Sequence, residues 1–313
     1  MNLQQLRYAA EVARRGLNVY GAAAALHTSQ PGVSRQLRAL EEELGVDIFV
    51  RQGRRLTAVT DAGREILAIV GRVLDELGNL KRVGEEFAGA DRGSLAVAVT
   101  HTQARYALPP VVTAFKKRYP LVRLKLLQGN PHQLARLVIE READIAIATE
   151  ALADYEELVS IPGYQWHHCV VVPAGHELAS AGPVTLEAVA RYPIVTYDTS
   201  FTGRTAIDRS FAQRGLKPEI ALTALDSDVI KSYVSLGLGV GIVSSMALGQ
   251  AKEEGLVVLD AAHVFPTQTT RIAFRRNAWL RGYAVEFIRL FVPHVTRAAL
   301  EGLAGGRGED FAI

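Results

Sequence analysis

Apolar residues in the first sixty positions recur at steps of three and four, which is the spacing of one helix face. Residues 3–13 carry this pattern, and "VYGAAAALH" (19–27) predicts a second helix whose small residues allow close approach to a neighbour. Leu37, Leu40 and Leu44 mark a third helix in "TSQPGVSRQLRALEEELG" (28–45), although Pro31 and Gly32 stand near its beginning. Proline is tolerated in a first turn, where its missing N–H loses no partner, and a Ser or Thr ahead of it caps the free amides. The third helix therefore starts abruptly and presents Ser29, Gln30, Ser34 and Arg35, polar side chains with little to pack against. Two helices joined by the few residues around His27 and Thr28 form a helix-turn-helix pattern.

After Gly45, "IFVRQGRRLTAVT" (48–60) alternates around a glycine and predicts a β-hairpin wing with Arg51, Arg54 and Arg55 near its tip. From 61 to 89 the pattern is helical again. Ile66, Val70, Val73, Leu77, Leu80 and Phe87 follow alternating steps of four and three, with Gly84 as the one empty seat. That spacing is a two-stranded coiled-coil seam. At about 1.5 Å per residue the helix is too long to bury its stripe on a sixty-residue domain, so a second copy of the chain is the expected partner.

Beyond Arg92 the period changes. Strands are predicted at 94–99, 122–127 and 144–149, with helices at about 107–118 and 131–142 between them, which implies a parallel sheet with right-handed crossovers. The series restarts with strands at 167–173, 192–197, 219–224 and 239–244, and helices at about 203–214 and 226–236; a late strand at 270–275 precedes a helix at 279–291. The expected architecture is α/β: an N-terminal winged helix-turn-helix (1–60), a linker and dimerisation helix (61–90), and a two-lobed α/β effector domain (91–313). Lobe I is expected to take in about 91–163 and 267–295, and lobe II about 164–266.

At 313 residues, the chain exceeds what one core usually serves. Its 49% hydrophobic and 22% charged residues describe a folded chain, and its net charge of +2 argues neither for nor against nucleic acid. The first sixty residues hold 8 arginines against 5 acidic residues, a local +3 that places the basic excess in the helix-turn-helix. One cysteine, Cys169, excludes an internal disulfide, and no stretch approaches the ~18–20 apolar residues of a membrane helix. A cytoplasmic location is expected, with no membrane partner.

The region 28–38 is the candidate DNA surface. The first turn of the recognition helix would meet base edges in the major groove, and wing arginines would meet phosphate or the minor groove. "GLGVG" (237–241) is not a dinucleotide fingerprint, because a helix precedes it and a strand follows. In "HHC" (167–169) only His167 and Cys169 share a face, two ligands where a closed zinc site wants four. Neither a metal nor a cofactor is expected. No nucleophile elbow or histidine base motif is present, so no catalytic residue is assigned and the chain is not expected to be an enzyme.

"THTQ" (100–103) follows the first strand of lobe I and lies at the carboxyl edge of the sheet, where α/β folds bind ligands. Thr149 ends another strand at that edge, and "FTGR" (201–204) starts a helix in lobe II, where free N–H groups attract anions. These hydroxyl-bearing turns would converge on one inter-lobe cleft suited to a small anion or zwitterion. Arg204 would be its permanent charge and Trp166 one wall.

Over essentially its full length the chain resembles the LysR-type transcriptional regulators, on "AAAALHTSQPGVSRQLRALEEELGVDIFVRQGRRLTAVTDAG" (22–63). "GSLAVAVTHTQARYALP", "ADIAIATEAL", "YPIVTYDTSFTGR" and "DSDVIKSYVSLGLGVGIVSSMA" are similar to the CysB subgroup, the regulators of sulfur assimilation and cysteine biosynthesis. The resemblance implies dimers paired into tetramers, double-stranded operator DNA bent on binding, and activation through RNA polymerase. The DNA contacts expected from the helix start and the wing are Thr28, Ser29, Gln30, Pro31, Ser34, Arg35, Arg38, Arg54 and Arg55. The resemblance also implies an effector such as N-acetylserine, O-acetylserine, sulfate or thiosulfate, held by Thr100, Thr102, Gln103, Thr149 and Thr202 with Trp166 nearby.

Overall fold

The computed structural model describes residues 1–53, 55–89, 91–248 and 255–304 and divides into two compact units, residues 1–85 and 86–313. In the first unit, α1 (Leu3–Arg14), α2 (Val19–Ala25) and α3 (Gln30–Leu44) pack around Ala9, Val12, Ala22, Val33, Leu37 and Leu40. Local chemistry sets their ends. Asn2 and Gln5 form a capping box on α1, Asn18 caps α2, and the Ser29 hydroxyl accepts from the Gly32 amide at 3.2 Å to cap α3. Gly45, at φ +71°, ends α3.

Strands β1 (Phe49–Gln52) and β2 (Arg55–Val59) pair antiparallel as the predicted wing. Thr60 then starts α4 (Asp61–Ala88): its hydroxyl accepts from the Gly63 amide at 2.8 Å and donates to the Asp47 carbonyl at 2.6 Å. Gly63 is required by proximity, because a Cβ there would lie 2.1 Å from the Ile48 carbonyl oxygen. Along α4, Val70 is buried in the core of this unit, whereas Val73, Leu80 and Phe87, seven residues apart, are 38, 70 and 87% exposed.

The second unit holds two five-stranded sheets. The first has the order β4 (Val122–Gln128), β3 (Gly93–Val99), β5 (Ile145–Ala148), β12 (Gln268–Arg275), β6 (Leu158–Trp166). The second has the order β11 (Leu256–Asp260), β7 (His168–Pro173), β10 (Val240–Ser244), β8 (Ile194–Tyr197), β9 (Ile220–Ala224). The expected parallel sheets are mixed. Strands β3, β4 and β5 are parallel, as are β8, β9 and β10, but β12 runs antiparallel to β5 and β6, and β7 antiparallel to β10 and β11. The cause is the chain path: β6 leads directly into β7 in the other sheet, and β12 returns, so each lobe completes its sheet with crossing strands.

Strands β6 and β11 were not anticipated by the sequence pattern. Helices α5 (Leu108–Arg118), α6 (Pro131–Ile139) and α10 (Gly282–Phe291) serve the first sheet, with α11 (Arg297–Ala304) beside α10. Helices α8 (Thr202–Gln213) and α9 (Ser227–Ser235) serve the second, and the short α7 (Leu186–Val189) packs into the same core. "GLGVG" joins α9 to β10: Gly239 takes φ +153° and leaves room for the Pro193 carbonyl, which a Cβ would approach to 2.1 Å.

Candidate DNA surface and effector cleft

Helix α3 buries Val33, Leu37 and Leu40 and turns Pro31, Ser34, Arg35 and Arg38 to the opposite side, at steps of three and four. Gln30 and Ser34 hydrogen-bond to each other through Nε2 and Oγ at 3.2 Å, and Arg35 and Arg38 are exposed. Ser29 has a structural task as the cap, and Thr28 is half-buried just before it. Arg55 is exposed on β2; Arg54 lies outside the described residues. Arg51 is not a free wing cation. Its guanidinium is bonded to the buried carboxylate of Glu41, whose Oε1 also accepts the Ile48 and Phe49 amides at 2.9 and 3.1 Å. Glu41 thereby ties the recognition helix to the base of the wing, a link the sequence reading missed because Glu41 reads as one of three consecutive acidic residues.

In the second unit, strand ends and helix starts from both lobes enclose a cleft of about 40 Å³ lined by Thr100, Thr102, Gln103, Thr149, Trp166, Tyr197, Phe201, Gly203, Ser244 and Met246. The Thr149 hydroxyl bonds directly to that of Thr202, the first residue of α8, and no side chain caps this helix. Thr102 Oγ1 lies 3.5 Å from Ser227 Oγ, which in turn bonds to the Tyr197 hydroxyl at 2.7 Å. Tyr197 accepts the Ser244 amide at 2.8 Å, and burial pushes its phenol up to about 12, so it stays neutral. The Gln103 amide is engaged by Thr270 at 2.8 Å and by the Tyr164 hydroxyl. Trp166 Nε1 and Ser244 Oγ are buried without a partner among the described residues, leaving a donor and a hydroxyl for a bound molecule. Thr202 itself is not among the residues lining this cleft and meets it only through its bond to Thr149; it lines a larger, polar recess beside α8 together with Glu150, Arg209 and His263.

The lobes are also latched at the cleft margin. Asp228, at the start of α9, receives Arg105 Nε at 2.9 Å and Lys231 Nζ at 3.3 Å, and bonds to the Tyr106 hydroxyl. Burial raises the Asp228 carboxyl, but Tyr106, Lys231 and Arg105 outweigh it and hold the group below its ordinary value.

Residues 3–64 match the family model described as "Bacterial regulatory helix-turn-helix protein, lysR family", and residues 88–296 match "LysR substrate binding domain". The chain belongs to the LysR family. It is 49% identical over 313 residues to the HTH-type transcriptional regulator CysB of Burkholderia cenocepacia, covering 100% of both chains. It is 50% identical over 303 residues to SsuR of the same organism (97% of this chain, 98% of that one) and 46% identical over 290 residues to Cbl of Escherichia coli (93% and 92%). The solved cofactor-binding domain of the Cbl transcriptional regulator is similar at a TM-score of 0.66 with 42% identity, over 68% of this chain and 94% of that one. Full-length CbnR complexed with its target DNA shares the fold at a TM-score of 0.55 and 20% identity, over 93% and 99%.

Like these sulfur-related relatives, this LysR protein is a transcriptional regulator and not an enzyme. LysR regulators bind DNA and small-molecule effectors and form oligomers. Among the described residues no helix is long and apolar enough to cross a membrane. One expectation for the LysR cleft is corrected: Arg204 is buried inside lobe II, its Nε on Asp208 at 2.7 Å and its Nη1 on the Tyr197 carbonyl at 2.8 Å, and is not among the cleft-lining residues. Tyr197, Phe201, Gly203, Ser244 and Met246 were missed as cleft residues. Ser244 ends β10 at the carboxyl edge of its sheet, so the rule that found Thr100 and Thr149 could have found it.

Proposed function

We propose that this regulator controls genes of sulfur assimilation and cysteine biosynthesis by reading a small polar effector in the Thr-lined cleft. The observation that carries the reading is the chemistry of that cleft: hydroxyls, an indole N–H and an uncapped helix start, with its nearby guanidinium committed to Asp208 and Tyr197. Neutral donors suit a small oxyanion or an acetylated amino acid. Size separates the two. The cleft is small, about 40 Å³, which favours a compact anion such as sulfate or thiosulfate over the longer acetylserines.

An effector shifts the population of lobe geometries only as far as it binds one better than the other. The exposed row Val73, Leu80 and Phe87 supports pairing of two α4 helices, and a pair of such dimers would carry the change in lobe geometry to bent operator DNA and to RNA polymerase in the cytoplasm. The DNA contacts in this reading come from Thr28, Ser29, Gln30, Pro31, Ser34, Arg35, Arg38, Arg54 and Arg55; the effector contacts come from Thr100, Thr102, Gln103, Thr149, Trp166 and Thr202. The boundaries 1–60, 61–90 and 91–313 are the working division into modules.

Calorimetry with sulfate, thiosulfate, O-acetylserine and N-acetylserine on the full-length chain and on Thr100→Ala tests the reading. Saturable binding lost in the variant supports it. Binding by none of the four overturns the sulfur assignment in favour of a regulator sensing another small carboxylate or anion.

A further inference from the structure

His167 stands between β6 and β7, and Cys169 follows two positions later, so strand alternation sends both side chains to one face. The antiparallel pairing of β11 with β7 sets Asp260 directly opposite Cys169, on that same face. One ligand atom from each residue lies within 4.8 Å of the other two. His167 Nε2 and Asp260 Oδ1 are 3.4 Å apart. Two ligands about 2.0–2.1 Å from a tetrahedral ion are themselves about 3.3–3.4 Å apart, so this separation already has the required value.

We propose that His167, Cys169 and Asp260 bind a borderline-soft divalent cation of the zinc class. Thiolate, imidazole and carboxylate are the donor types such an ion selects, and together the two anionic ligands neutralise its charge. Water completes the coordination, since the Asp260 side chain is 71% exposed and opens the site to solvent. The thiol proton passes to solvent as the metal–sulfur bond forms. In the metal-free chain burial, and after it the neighbouring Asp260 carboxylate, raise the Cys169 thiol to about 11, while the Ala261 amide acts the other way.

The position gives the ion a role. His167 lies where the chain first crosses between lobes, and Asp260 ends the strand from which it returns to β12. One ion would tie both crossings together.

The test uses untagged full-length protein stripped with a chelator and titrated with Co²⁺ in place of zinc. The sequence contains one cysteine, so a thiolate-to-cobalt charge-transfer band reports Cys169 alone. One equivalent per chain is expected to produce the band, and stoichiometric Zn²⁺ to abolish it. Cys169→Ser is expected to remove the band, while His167→Gln and Asp260→Asn, at partly exposed positions, weaken cobalt binding at least tenfold. No band in the parent protein overturns the proposal. So does a band whose titration is unchanged in both His167→Gln and Asp260→Asn.

Discussion

The hydroxyl of Thr149, at the end of β5, is hydrogen-bonded to the hydroxyl of Thr202, which opens α8 in the other lobe. In the proposed reading, a ligand entering the cleft exchanges this bond for its own. Thr202→Val removes one hydroxyl and leaves Thr149 without its partner. Effector affinity is expected to fall about tenfold, the worth of a hydrogen bond near 1–1.5 kcal/mol, with operator affinity in the absence of effector unchanged. Calorimetry and gel retardation on the same preparation measure both; full effector affinity in Thr202→Val would remove the hydroxyl pair from recognition.

His168 is buried with neither ring nitrogen partnered among the described residues, and burial, with a smaller contribution from His167, lowers its pKa from 6.5 to about 3. The unfolded chain takes up a proton as pH falls through 6.5, whereas the folded chain does not until about 3. Stability contributed by neutral His168 is therefore present above 6.5 and lost as pH falls, with a slope approaching about 1.4 kcal/mol per pH unit. His168→Leu should flatten that dependence in urea unfolding between about pH 7 and 5. Parallel slopes for the two proteins would contradict it.

Arg35 lies on the exposed side of α3 with Ser34 and Arg38. If it reads a base, Arg35→Ala weakens operator binding by about 1–3 kcal/mol and relaxes preference at one position, whereas loss of a phosphate contact weakens all sequences alike and lowers the salt slope by about one. Retardation of operator and scrambled DNA at several salt concentrations distinguishes the two, and an unaltered operator preference rules out base reading by Arg35.

Gly63 sits where a Cβ would lie 2.1 Å from the Ile48 carbonyl oxygen, which also accepts the Thr60 amide at 3.0 Å. Gly63→Ala must displace the start of α4 from the wing. Overpacking of this kind costs about 1–3 kcal/mol, so a lower thermal midpoint of the N-terminal unit is expected. An unchanged midpoint would show that the junction yields freely.

Val73, Leu80 and Phe87 form an exposed row at heptad spacing on α4. Leu80→Asp places a charge in the middle of that row. A shift toward smaller species in sedimentation velocity is expected, together with a large loss of operator affinity, because two half-sites are no longer held by one particle. Unaltered sedimentation would move the dimer contact elsewhere.

What the sequence determined by itself was whatever depends on neighbours within a few residues. Pro31 in a first turn, Ser29 as its cap, Gly45 as its stop and the heptads of α4 are local, and periodicity and capping chemistry read them directly. Thr100 and Thr149 were legible as cleft residues for a related reason: a strand end followed by a turn lies at the carboxyl edge of its sheet wherever the rest of the chain goes. Tertiary structure alone decided how charges are used and which distant strands meet. Arg204 and Arg51 read as available cations, yet each is consumed by a carboxylate and, for Arg204, a backbone carbonyl, because burial of a guanidinium demands partners. Asp260 stands 91 positions after Cys169 in the sequence, and only the β7–β11 register sets the two side by side. Side-chain chemistry within one turn or strand is encoded locally; convergence across a sheet is a property of pairing, which no window along the chain contains.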